Sequence, residues 1–160
     1  MTPTPSGQAV TALILEVFRL NGRLLVAGDR LVAKLGLTSA RWQVLGAIAY
    51  SDRPQPVAWL ARSMGLNRQG VQRIVNELGN EGLVEFRPNP NHRRAHFVVL
   101  TKRGKSIFEA AERLQRPWVG RLAQGLSVKD IATAKRVAET LRERLEIGGD
   151  SESQEHASSR

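Results

Sequence analysis

The chain is 160 residues long, enough for one domain with its own core, or one domain carrying dimerisation arms. It has no cysteine, which excludes disulfides, thiolate metal centres and thiol-based oxidant sensing. Lysine plus arginine number 24 against 15 aspartate plus glutamate, a formal charge of +9 that suits a polyanionic partner, nucleic acid or a membrane surface. No run approaches the ~20 apolar residues of a membrane span, and the N-terminus lacks the basic start of a signal peptide. The expectation is therefore a soluble, cytoplasmic protein with no membrane partner.

The charge is concentrated. Residues 53–105 hold ten basic side chains against three acidic ones, Glu77, Glu81 and Glu85. A charge run is often only a solvated face, but confinement to one segment favours a binding footprint.

Residues 1–7, rich in Pro, Thr and Ser, are expected to be disordered. From Gln8 a helical pattern begins. Leu13, Val17, Leu20, Leu24, Leu31 and Leu35 recur at spacings of three, four or seven, and Ile14, Phe18, Leu25 and Val32 form a second stripe beside them. Two stripes exceed what a small domain needs on one side, so the second suits a partner subunit. The alternative is a helix broken at Asn21-Gly22 or Gly28. Gly36 ends this helix, and Thr38 or Ser39 caps a second one over about Ala40–Tyr50. Ser51 to Pro56 reads as a Pro-punctuated loop.

A short third helix follows, about Val57 to Ser63, with Val57, Leu60, Ala61 and Met64 on one apolar face. Gly65-Leu66 makes a turn, and Asn67 caps a fourth helix running to about Asn80. Val71, Ile74, Val75 and Leu78 repeat the apolar spacing. The opposite face carries Arg68, Gln69, Gln72, Arg73 and Asn76, with no carboxylate before Glu77. Leu83–Arg87 and Ala95–Thr101 read as two strands of a hairpin whose turn-rich tip contains His92, Arg93 and Arg94. Two helices close the chain, about Lys102–Gln124 with Pro117 as a possible kink site, and a second from Ser127, which Gly148-Gly149 ends. The fold class is thus mostly α with one small β-hairpin.

The middle segment carries a recognisable constellation. Two short helices meet at a tight Gly turn, the second exposes Arg and Gln, and a basic hairpin follows. Gln and Arg offer bidentate hydrogen bonds to adenine and guanine edges in the major groove, and an arginine on a hairpin fits the electronegative minor groove. This is the logic of a winged helix-turn-helix. Trp42, Tyr50 and Trp59 could line a ligand pocket, although core packing explains aromatic residues more often. His92 and His96 lack the further ligands a metal would need, with no carboxylate nearer than Glu85, and His96, next to an Arg pair, reads instead as a wing residue near phosphate. No nucleotide-binding, hydrolase or metalloprotease motif is present, so neither an enzyme nor a cofactor is expected.

Six stretches in order carry a family resemblance: Leu37-Thr38-Ser39-Ala40-Arg41-Trp42-Gln43-Val44-Leu45, Val57-Ala58-Trp59-Leu60-Ala61, Asn67-Arg68-Gln69-Gly70-Val71-Gln72-Arg73-Ile74-Val75, Glu81-Gly82-Leu83-Val84, Arg93-Arg94-Ala95 and Leu100-Thr101-Lys102-Arg103-Gly104. From Leu37 to Lys105 the chain resembles the MarR family of bacterial transcriptional regulators. The resemblance implies a homodimer on double-stranded DNA, with a small-molecule effector relieving repression. It implies a dimerisation helix at 8–36, a winged helix-turn-helix domain at 37–101, C-terminal dimerisation helices at 102–148 and a disordered tail at 149–160. On this mapping Arg68, Gln69, Gln72, Arg73 and Asn76 face the major groove. His92, Arg93 and Arg94 belong to the wing, with Arg94 at its tip. The family wing usually carries an Asp that braces it through ion pairs, and here His92 holds that position. The residues alone leave open a winged-helix module that binds RNA or a protein partner without any regulatory ligand.

Overall fold

The computed structural model describes residues 4–157, with side chains through 146. The chain divides into two units, residues 1–118 and 119–160. Helix α1 spans Pro5–Val32 without interruption, so Asn21-Gly22 does not break it. It begins earlier than the sequence suggests. Thr4 accepts a hydrogen bond from the Gly7 N–H and Pro5 occupies the first turn, where its missing N–H costs nothing. Pro5 to Gly7 are therefore helical rather than disordered, while residues 1–3 lie outside the described residues. A 3-10 turn, Ala33–Leu35, follows, and Gly36 closes it at φ 72°, a left-handed conformation that favours glycine.

Helix α2 spans Ser39–Ala49 and is capped by the Thr38 hydroxyl. Strand β1, Gln55–Pro56, leads into α3, Val57–Met64, and α4 follows at Arg68–Asn80. Gly65, at φ 64°, makes the turn between α3 and α4. Strands β2, Val84–Arg87, and β3, Phe97–Leu100, form the hairpin. The antiparallel sheet has the order β1-β3-β2, with Gln55 opposite Val98 and Val84 opposite Leu100. The sequence reading missed β1. Two residues ending in proline show no alternation, and their pairing depends on a strand more than forty positions away.

One core unites these elements. Val44 and Leu45 from α2, Leu60 from α3, Val71, Val75 and Leu78 from α4, and Val98 from β3 are fully or almost fully buried, joined by Val32, Phe108 and Ala111. The expected stripe of α4 is thus buried in full and its polar face left outward. Helix α1 meets α2 through a close contact at Gly28. The Ser39 hydroxyl donates to the Leu25 carbonyl at 2.8 Å, and the Ser39 N–H donates to Asp29 at 2.6 Å. Asp29 therefore serves as an acceptor at the start of α2.

Helix α5 spans Lys102–Leu122, continuous across Pro117. Helix α6 spans Val128–Ala157 and starts at a hydroxyl-carboxylate cap. Ser127 accepts from the Asp130 N–H at 3.0 Å and donates to its carboxylate at 2.7 Å. It runs past Gly148-Gly149, where the sequence predicts its end. Glycine weakens a helix by about 1 kcal/mol but keeps its N–H, so it does not force a stop as proline would. The expected disordered tail from 149 is therefore helical through Ala157, and residues 158–160 lie outside the described residues.

Candidate nucleic-acid interface

Helix α4 is built to present a polar face. Asn67 accepts from the N–H groups of Gln69 and Gly70 at 2.8 and 3.3 Å, which satisfies two free donors of the first turn. Burial of Val71, Ile74, Val75 and Leu78 then fixes the helix rotation. Arg68, Gln69, Gln72, Arg73 and Asn76 all lie on the outer side and line one open groove, together with Glu77 and Asn80. Gln72 donates to Asn76 at 3.0 Å, and Arg73 lies 3.5 Å from Glu77. Both links are single-turn contacts on an exposed face, each worth a few tenths of a kcal/mol. They orient side chains without locking them.

The wing starts from a rigid base. Thr101 donates to the Gly82 carbonyl at 2.7 Å and accepts from the Gly104 N–H at 3.0 Å. Arg103 donates to the Glu81 carbonyl at 2.7 Å. Glu81, just past α4, also takes the Arg41 guanidinium of α2 in an ion pair, and Arg41 donates to the Gly36 carbonyl at 3.1 Å. The C-terminal end of α4 is thus held by α2 on one side and α5 on the other.

The tip is held by an amide instead of an ion pair. The Asn89 side chain donates to the Ala95 carbonyl at 3.0 Å and accepts from the Asn91 N–H at 3.1 Å. His92, at the position where the resembling family has Asp, is exposed and contributes backbone bonds to Asn89 and Ala95. Among the described residues no ion pair includes Arg93 or Arg94. Sequence reasoning missed the brace at Asn89, although an Asn between two prolines in a turn is a recognisable side-chain-to-backbone signal.

Helix and wing meet in a cleft of about 220 Å³, lined by Arg68 and Gln72 from α4, Arg94 and His96 from the wing, Phe86 from β2 and the start of α3. Arg94 lines this cleft, and His92 and Arg93 do not. Asn80 extends the surface beyond the residues chosen from the sequence.

Trp42, Tyr50 and Trp59 are not brought together. Tyr50 lines a cleft of about 460 Å³ between the end of α2, β3 and α5, stacked edge-on against Phe108 and hydrogen-bonded to Glu112. The Glu112 carboxylate, as acceptor, holds the Tyr50 phenol above its ordinary pKa. Trp42 lines a separate hollow with Leu24, Leu25 and Trp118. Trp59 is exposed on α3 and lines neither. Helical spacing explains the separation, because Trp42 and Tyr50 stand at opposite ends of α2 and Trp59 lies on the outer side of another helix.

Residues 35–95 match the MarR family profile. The uncharacterised protein Rv2011c of Mycobacterium tuberculosis is 43% identical over 101 residues, covering 63% of this chain and 69% of that protein. The transcriptional activatory protein BadR of Rhodopseudomonas palustris is 29% identical over 125 residues, 74% of this chain and 70% of BadR. Among solved structures, a mutant MarR from E. coli complexed with operator DNA is 26% identical and superposes with a TM-score of 0.66, over 80% of this chain and 94% of that one. Neither the fold nor the family is that of an enzyme. With its buried α4 stripe, outward basic face and adjoining wing, the chain belongs to the MarR family of winged-helix transcriptional regulators.

Proposed function

We propose that the protein is a homodimeric, sequence-specific reader of double-stranded DNA in the cytoplasm, a repressor released by a small-molecule ligand. The observation that carries this reading is the convergence of Arg68, Gln72 and Arg94 from α4 and the wing on one cleft beside the outward face of α4. On this reading Gln72 and Arg73 read base edges, and Arg94 enters the neighbouring minor groove.

A dimer is supported by apolar side chains left in water. Phe18 on α1 is 69% exposed, beside Leu15, Val17 and Leu20, and α6 exposes Ile131 and Val137. Such stripes are interaction surfaces in soluble chains. A dimer would set two α4 helices about 34 Å apart, one turn of DNA, and a ligand that changes this spacing would release the operator. The cleft beside Tyr50, between α2, β3 and α5, would take such a ligand, with Phe108, Tyr50 and Glu112 in its lining. The direction of regulation then follows from where the operator lies, since a relative such as BadR is described as an activator.

The test is three single substitutions read position by position along an operator. Gln72→Ala or Arg73→Ala should relax preference at one base by about 1–3 kcal/mol, while Arg94→Ala should weaken binding to all sequences alike. If both α4 variants keep affinity and preference intact, α4 is not the reading helix.

A further inference from the structure

His96 is the unusual member of the cleft between α4 and the wing. Arg68 of α4 and Arg94 of the wing face the same space, and Gln72, Phe86, Ala95 and the Pro56-Val57-Ala58 segment complete its lining without a carboxylate. Glu85, on the adjoining strand β2, is taken up by Arg87 at 2.7 Å. The exposed imidazole of His96 thus shares its cleft with two guanidinium groups, and no carboxylate lines it among the described residues. A DNA phosphate entering the cleft reverses that balance, because it favours the charged imidazole and gives it a hydrogen-bond acceptor.

We propose that His96 takes up a proton when DNA binds, so that the protein holds its operator more tightly as pH falls through the histidine range. The inference rests on the reading of α4 and the wing as a DNA interface. The proton comes from solvent, and the imidazole becomes an imidazolium paired with phosphate. Histidine is the side chain whose charge can change between about pH 5 and 8, which sets the window in which the response is sought. His96 would then add one phosphate contact per subunit at low pH and withdraw it at high pH.

The chain has three histidines, His92, His96 and His156, so the assignment can be made by single substitutions. The experiment is fluorescence anisotropy of the full-length protein on its operator duplex, at pH 6 and pH 8, each over a salt series. Wild-type affinity should rise by roughly five- to tenfold per subunit at pH 6, as expected for one linked proton. The salt slope should steepen by about 0.9 per subunit, the signature of one more neutralised phosphate. His96→Gln should flatten both responses, His92→Gln should keep them, and His96→Lys should bind at pH 8 as tightly as the wild type at pH 6. A His96→Gln protein with the wild-type pH response overturns the proposal, as does a wild-type protein whose affinity and salt slope ignore pH. If His96→Gln fails to fold, the pH-independent tight binding expected of His96→Lys decides the matter alone. Absence of binding to any duplex at either pH is a different result, which refutes the DNA interface itself and the proposal with it.

Discussion

Gly104 lies so close to Leu83 that a Cβ added to it would sit 1.8 Å from the Leu83 carbonyl oxygen. The neighbour is backbone just before β2, tied down because the Leu83 carbonyl also accepts from the Thr101 N–H at 3.1 Å. No side chain can rotate aside to make room. Gly104→Ala should therefore destabilise the fold by about 2–4 kcal/mol, the upper range for overpacking, and should loosen the wing base. Urea denaturation of the two proteins gives the comparison directly. An alanine variant with an unchanged midpoint would mean that the wing base yields far more easily than its bonding implies.

A softer version of the same contact joins α1 to α2. A Cβ on Gly28 would meet the Ser39 hydroxyl oxygen at 2.2 Å, but that atom belongs to a side chain. The hydroxyl can move away at the expense of its bond to the Leu25 carbonyl. Gly28→Ala should cost about 1–3 kcal/mol, and Ser39→Ala should relieve part of that cost in the double variant. The two effects should thus be non-additive in a thermal or urea cycle. Strict additivity would separate the two residues energetically.

Tyr50 is the only tyrosine of the chain, so its phenolate absorbance reports one group. The hydrogen bond to Glu112 raises its titration above that of a free tyrosine. The contact requires the neutral phenol. It contributes to stability below the normal tyrosine range and is lost as pH rises through the folded-state titration. Glu112→Gln should lower the midpoint toward the free value. A ligand seated in the cleft should shift it as well, which gives a direct optical screen for effectors. A midpoint unmoved by Glu112→Gln would break the link between the two side chains.

The helices were legible because their periodicity matched their burial. The four apolar residues of α4 leave only one rotation of that helix, and Asn67 marks its start, so the outward face followed from the sequence. Two of the six family-like stretches, Glu81–Val84 and Leu100–Gly104, meet in the structure through contacts that cross between elements. Thr101, Arg103 and Gly104 form the wing base with Gly82, Glu81 and Leu83. The Arg41–Glu81 pair and the Asp29–Ser39 bond were not legible, because each joins positions ten or more apart through side chains with no periodic signal. The grouping of Trp42, Tyr50 and Trp59 failed for the converse reason. Aromatic composition says nothing about which side of a helix a ring occupies, and the structure distributes these three among separate surroundings.

The central claim is that the basic face of α4 and the wing read a DNA sequence and do not merely hold phosphate. The most direct measurement is anisotropy on a labelled duplex from the region upstream of the protein's own coding sequence, over a salt series, with a scrambled duplex and a structured RNA as competitors. Specific recognition should leave a clear preference for the native duplex at physiological salt, with little displacement by RNA. Equal binding to native and scrambled duplexes, collapsing steeply with salt, or displacement by RNA at equal concentration, would contradict it.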